Sequence, residues 1–285
     1  FLWGWPLLIL LLGTHLYLTV ILRFPQRYLL KALKLYFVKD HTDKGDISPF
    51  SSLMVALAAN IGAGNIIGVG VAIAAGGPGA IFWCWLTGVL GMATRYSEGL
   101  LAIKYRVENK DGNMSGGPMF VLERGMKCKW LGVLFAFFTA IAAFGIGNLT
   151  QGNAAAEQLY HAFSIPAWGT ATVLTALTAL VMLGGIRGIA RVCAFFVPVM
   201  AVLYILGCMY ILIVQADYIL PAIRYILDCA FTGEAAAGGV VGAAVMTAMR
   251  TGVARGLFSN EAGLGSAAIA SAAAQNRNPV RQALI

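Results

Sequence analysis

Charge is what this sequence has least of. Of 285 residues, 20 are Lys or Arg and 12 are Asp or Glu, 11% in all, against about 25% in a soluble domain. Hydrophobic residues make up 59% and the mean hydropathy is +0.79. These values exclude a disordered chain, a nucleic-acid-binding domain and an ordinary soluble enzyme. Cysteine is sparse too: Cys84, Cys128, Cys193, Cys208 and Cys229 form no CxxC pair and read as small apolar-run residues. The three histidines, His15, His41 and His161, lie far apart, so no transition-metal spacing exists. No nucleophile–base pair stands out, which argues against an enzyme. There is no initiator Met, and the opening run Phe1-Leu-Trp-Gly-Trp-Pro lacks the basic region of a cleaved signal. The expectation is a chain that begins at its first membrane span.

What the sequence has in abundance is apolar length and glycine, 34 residues of it. A span needs about 20 apolar residues, and seven stretches qualify: about 3–22, 50–75, 79–105, 129–160, 167–185, 190–214 and a long region over 237–275. Arg23 to Lys44 reads as a basic, amphipathic interfacial segment, with Leu29, Leu30, Leu33, Tyr36 and Phe37 on one face. Arg23, Arg27, Lys31, Lys34, Lys39 and Lys44 follow the first span; Lys104, Arg106, Lys110, Arg124, Lys127 and Lys129 follow the third; Arg187 and Arg191 follow the fifth. The intervening loops hold only Arg224. This bias predicts cytoplasmic odd-numbered loops, an external N-terminus, and Arg277 and Arg281 inside. The net charge of +8 thus reports orientation rather than an anionic partner.

Two spans carry residues that oppose a continuous helix. The second contains Ala59-Asn60-Ile61-Gly62-Ala63-Gly64-Asn65-Ile66-Ile67-Gly68. Each glycine costs about 1 kcal/mol of helix propensity. Gly64 and Gly68 also fit a small-residue packing face, but packing does not need the asparagines. A dinucleotide-binding loop is excluded by the spacing and the absence of a preceding strand. The seventh stretch contains Gly256-Leu-Phe-Ser259-Asn260-Glu261-Ala-Gly263-Leu-Gly265-Ser266, with an intramembrane carboxylate. Glu261 is a functional candidate, or a salt-bridge partner of Arg250 or Arg255. The topology makes the two interrupted spans antiparallel, as in inverted repeats with discontinuous helices. A break frees backbone N–H and C=O groups that lipid cannot satisfy. Half-helix N-termini suit a carboxylate and freed carbonyls suit a small cation.

Asn60-Ile-Gly-Ala-Gly-Asn-Ile-Ile-Gly followed by Gly76-Gly-Pro-Gly-Ala-Ile-Phe-Trp resembles the alanine/glycine:cation symporter family. So do Gly91-Met-Ala-Thr-Arg-Tyr-Ser-Glu98, Ser115-Gly-Gly-Pro-Met-Phe-Val-Leu-Glu-Arg124 and the Gly256–Ser266 motif. The resemblance implies an all-α integral membrane protein with the LeuT-type inverted-repeat fold of eleven spans, about seven of them here. It implies one transporter domain over 1–285: a leading helix and interfacial segment (1–49), a first five-helix repeat (50–215) and the start of a second repeat (237–285). The implied activity is entry of a small amino acid, alanine or glycine, coupled to Na⁺ across the cell membrane, with no cofactor. A carrier for another solute, H⁺ coupling, or a channel are the alternatives.

The resemblance also implies site residues. Gly62, Ala63, Gly64 and Asn65 would meet the substrate carboxylate. Many family members have Thr where this chain has Ala63. Gln151, in Gly147-Asn148-Leu-Thr-Gln151, would face the substrate, unless it makes only an interhelical bond. Ser259, Asn260, Gly263 and Gly265 complete the substrate set, and carbonyls of Ala58 and Ile61 would hold the cation. Asn60, Glu98 and Glu261 are supporting residues. Glu98 is expected either to accept from freed backbone in the seventh span or to pair with Arg95. Trp83 and Trp85 read as interfacial anchors.

Overall fold

A computed structural model describes residues 5–35, 45–145, 148–232, 241–276 and 278–284. The helices are α1 (Trp5–Ile21), α2 (Leu29–Leu35), α3 (Pro49–Asn60), α4 (Ala63–Gly76), α5 (Gly79–Lys104), α6 (Pro118–Phe120), α7 (Lys129–Ala143), α8 (Asn148–Phe163), α9 (Ala167–Leu183), α10 (Gly185–Val214), α11 (Ala216–Phe231), α12 (Val241–Asn260), α13 (Ser266–Ala272) and α14 (Pro279–Leu284). A small antiparallel hairpin pairs β1 (Val107–Glu108) with β2 (Met114–Ser115). The protein is a helical membrane protein whose outer surface is apolar. Leu183 is 90% exposed, and Phe195, Tyr210 and Ile213 on α10 are each exposed by more than two thirds. Such a surface is stable only against lipid or protein.

The helices depart from the predicted spans in instructive ways. The stretch 129–160 is not one helix: α7 ends at Ala143 and α8 begins at Asn148. Gly145 and Gly147 fall within that interval of the sequence. Residues 215–236, read as a loop, contain the amphipathic α11. Asp217 in its first turn suits the helix dipole, and Pro221 lies inside the helix, where it cannot donate to the Asp217 carbonyl. Helix α10 starts at Gly185, so Arg187 and Arg191 lie in its first turns rather than in a loop. Among the described residues, Pro49–Gly76 (taken through its interruption) and Gly185–Val214 are long and apolar enough to cross a membrane. Trp5–Ile21 and Pro25–Ala32, bent by 63°, add a third if counted as one span. The other predicted spans are shorter helices or carry charges such as Arg95, Glu98, Arg250 and Arg255. The predicted positions of Tyr36, Phe37, Lys39, His41, Lys44, Gly147 and Arg277 lie outside the described residues. Of Ala63 and Gly64, the backbone alone is described.

The chain forms two compact units: Phe1–Leu29, Asn65–Ser97 and Val199–Leu264 in one; Leu30–Gly64, Glu98–Pro198 and Gly265–Ile285 in the other. In the first, Leu8 and Leu11 of α1 pack on Val253 and Leu257 of α12, with Trp83 against the cluster. Glycines let α5 and α12 approach closely. A Cβ at Gly252 would collide with the Ala80 carbonyl, and one at Gly256 with the Thr87 hydroxyl. Helix α11 joins through Phe231, whose ring lies 5.0 Å from Phe82 and 5.9 Å from Trp83. Buried His15 shares a 2.7 Å hydrogen bond between Nδ1 and the Thr94 hydroxyl.

In the second unit the chain before α3 pairs in parallel with the chain after α13. Ile47 bridges Ala274; Asp46 N–H donates to Ala273 O (2.8 Å) and Gln275 N–H to Ile47 O (2.7 Å). The buried Asp46 carboxylate accepts from Met114 N–H at 2.7 Å and lies 3.6 Å from the exposed Arg187. Arg106 closes the end of α13. Its guanidinium donates to the carbonyls of Ala272, Ala274 and Asn276 at 3.1, 2.7 and 2.9 Å. Helix ends leave carbonyls without intrahelical partners, and one planar side chain here satisfies Ala272 O at the helix end together with two carbonyls of the chain that follows it.

Candidate functional site

The first interruption is a two-residue turn. Helix α3 is started by Pro49 at its first position and by the Ser48 hydroxyl, which accepts from Ser51 N–H at 3.1 Å. It ends at Asn60, whose side-chain amide donates back to Ala56 O at 3.1 Å. Ile61 departs from helical backbone (φ −98°, ψ 60°), and α4 begins at Ala63. Ala58 lies in the last turn of α3, with Ile61 and Gly62 in the turn itself. In this same unit Gln151, in the first turn of α8, comes up against Gly62: a Cβ there would sit 2.9 Å from Gln151 Nε2. The predicted Gln151 and the predicted Gly62 are therefore neighbours, and a Cβ at position 62 would make the end of the Gln151 side chain shift.

The second interruption is longer and more contorted. Helix α12 stops at Asn260, and Glu261 (φ 50°), Gly263 (φ 90°) and Gly265 (φ 77°) all adopt left-handed backbone before α13. That region costs a non-glycine residue about 1–2 kcal/mol, so the Glu261 conformation is held by its surroundings. In the first unit, Gly263 packs beside Leu11 and His15: a Cβ there would lie 2.9 Å from the Leu11 side chain and 3.8 Å from His15 Cε1. Asn260 Nδ2 approaches the Gly88 backbone closely enough to lie 3.5 Å from a Cβ there. In the second unit, Gly265 N–H donates to Glu98 Oε1 at 3.1 Å. Glu98 thus supports backbone freed by the break.

Within the first unit, the half-helices α4 and α12 that flank the interruptions are joined by a side-chain hydrogen bond. Ser259 Oγ donates to Asn65 Oδ1 at 3.0 Å, across 194 residues of sequence. Asn65 sits in the first turn of the half-helix that follows one break; Ser259 sits in the last turn of the half-helix that precedes the other. The structure therefore brings together Asn65 with Ser259, Gly62 with Gln151, and Glu98 with Gly265. Among the described residues no group of three or more His, Cys, Asp or Glu side chains could hold a metal ion. The break at α7–α8 and the Arg106 crown on α13 are the features sequence reasoning missed. The Gly145–Gly147 pair was the available signal for the first. Nothing marked Arg106 apart from other loop arginines.

Residues 1–285, the full chain, match the sodium:alanine symporter family. The chain belongs to that family. A sodium:alanine symporter relative from Methanococcus maripaludis, the sodium/alanine symporter AgcS, is 51% identical over 292 residues, covering 100% of this chain and 64% of the relative. An uncharacterized transporter of Haemophilus influenzae is 54% identical, covering 100% of this chain and 63% of its own length. The probable sodium/glutamine symporter GlnT of Bacillus subtilis is 37% identical, again over 100% of this chain and 58% of its own. The chain thus spans roughly three fifths of the length of these curated relatives. Both helix interruptions lie within the sodium:alanine symporter match.

Proposed function

We propose that the protein carries a small amino acid, alanine or glycine, into the cell together with Na⁺. The observation that carries this reading is the Ser259–Asn65 hydrogen bond, which ties two helix breaks built alike from glycine and asparagine. In the LeuT-type arrangement, α3–α4 opens a first repeat within 50–215 and α12–α13 opens a second within 237–285. Residues 1–49 form the leading helix and interfacial segment. The relatives' unmatched length would hold the rest of the second repeat. The protein spans the inner membrane several times, with its N-terminus outside.

The substrate carboxylate is received by backbone N–H groups of Gly62, Ala63, Gly64 and Asn65, which open α4 and carry its positive dipole end. Gln151 contacts the same ligand from α8. Ser259, Asn260, Gly263 and Gly265 complete the proposed substrate set. Glycine-lined walls favour a small side chain. The carbonyls of Ala58 and Ile61 hold Na⁺, a hard cation that prefers oxygen. Asn60, Glu98 and Glu261 fix the shape of the breaks. The breaks, where few helical hydrogen bonds resist bending, are the hinges of alternating access in this reading.

The test is counterflow into proteoliposomes preloaded with unlabelled alanine. Saturable accumulation of labelled alanine, competed by glycine, is expected. Unitary currents without counterflow would show a channel instead. Competition by glutamine but not by alanine or glycine would assign a larger substrate, in line with the name of the Bacillus relative.

A further inference from the structure

The symport reading leaves one built feature of the first unit unused. A pocket of about 440 Å³ is lined by Val71 and Ala72 of α4 and by Thr247, Arg250, Thr251, Ala254, Arg255 and Phe258 of α12. This volume lies in the range of small-ligand sites, about 300–1,000 Å³. The lining carries two guanidiniums and two hydroxyls and no carboxylate. Charged side chains in a membrane helix are costly and mark ion or substrate paths. Here the spacing is also ordered. Thr247 and Thr251 are four residues apart and Arg250 and Ala254 likewise, so each pair shares a helix face.

One of the guanidiniums is positioned rather than merely present. Arg255 lies against the backbone of Gly68, where any Cβ would overlap it. Its Cζ sits 5.3 Å from the centroid of the Phe258 ring, a cation–π distance. The glycine of α4 and the ring of α12 together hold its planar fork against the pocket. Arg250 is exposed and supplies the second charge. Arginine stays protonated at any physiological pH and presents donors that match a carboxylate.

We propose that this pocket binds a compact monovalent anion, a carboxylate group or a halide, at a site separate from the helix breaks. Arg255 precedes Ser259 by four residues, or about 6 Å along the helix. An amino acid seated there by its carboxylate would be staged next to the Asn65–Ser259 pair. A halide seated there would be held by the same cationic and hydroxyl groups. The site does not rest on the transport reading, because its occupancy is read by binding alone.

The test is equilibrium dialysis of the purified, detergent-solubilised protein with radiolabelled chloride at fixed Na⁺. Saturable binding is expected. Displacement by alanine and acetate would identify the carboxylate as the natural occupant; chloride binding indifferent to both would identify the halide. Arg250→Gln should weaken binding about tenfold, and Thr251→Val, which keeps the side-chain shape, about threefold. Arg255→Gln removes a packed side chain and is informative only if its melting temperature stays close to that of the parent, which is why the other two variants carry the argument. Absence of saturable binding to the parent protein overturns the proposal, as does unchanged affinity in a folded Arg250→Gln.

Discussion

If the Ser259–Asn65 hydrogen bond sets the geometry of the substrate site, then losing either partner should cost affinity, and losing both should cost no more. Interhelical hydrogen bonds in membrane proteins are worth about 0.6–2 kcal/mol, which is roughly 3- to 30-fold in an equilibrium constant. The bond is 3.0 Å long and half-buried and links segments 194 residues apart, so no local helix geometry can replace it. Initial rates of labelled-alanine uptake should give KM values raised roughly 3- to 30-fold for Ser259→Ala and for Asn65→Ala. The double variant should match the worse single one. Ser259→Thr retains the hydroxyl and should stay within about threefold of the parent. Asn65 makes further contacts, and the double-mutant cycle removes their share. Independent, multiplying losses in the double variant would refute the link between the breaks, even with transport impaired.

Other expectations follow from single contacts. Glu98→Ala removes the acceptor of Gly265 N–H and should cost about 1.5–3 kcal/mol, read as a lower melting temperature; Glu98→Gln keeps an acceptor oxygen and should lose less. Arg106→Met leaves three carbonyls at the end of α13 without their donor. A loss of about 2–4 kcal/mol is expected in denaturation, and a parent-like stability would show that water satisfies them. Gly256→Ala drives a Cβ into the Thr87 hydroxyl and should destabilise by about 1–3 kcal/mol. Gly70→Ala, where nothing lies within 4 Å of the new Cβ, serves as the control. Arg187→Gln should cost about 1 kcal/mol or less, since the Arg187 side chain is 68% exposed although its partner Asp46 is buried; Asp46→Asn, which disturbs a buried acceptor of Met114 N–H, should cost more.

The sequence made some of this legible and hid the rest for physical reasons. The turns at Ile61–Gly62 and at Glu261–Gly265 were foreshadowed because glycine and asparagine oppose a helix where apolar residues demand one. Their lengths were not. The first is two residues, the second needs three left-handed residues. The α7–α8 interruption is hard to read from sequence because a long apolar run leads into it and two glycines there fit helix packing equally well. Helix α11 falls outside the predicted spans because Asp217, Pro221, Arg224 and Asp228 line one face of it, so its run is amphipathic and too polar to count as a membrane span. Tertiary links such as Ile47 with Ala274, or Arg255 over Gly68, join residues 227 and 187 positions apart. No local pattern encodes those pairs. The resemblance to the symporter family rested on motifs spread from Asn60 to Ser266, and the family match covers the whole chain.

The most direct test of the account is alanine uptake by the protein in proteoliposomes, with an inward Na⁺ gradient against an equal K⁺ gradient. Coupled symport predicts transient accumulation above equilibrium with Na⁺ alone, abolished when the gradient is collapsed. Uptake that is the same with either cation would contradict it.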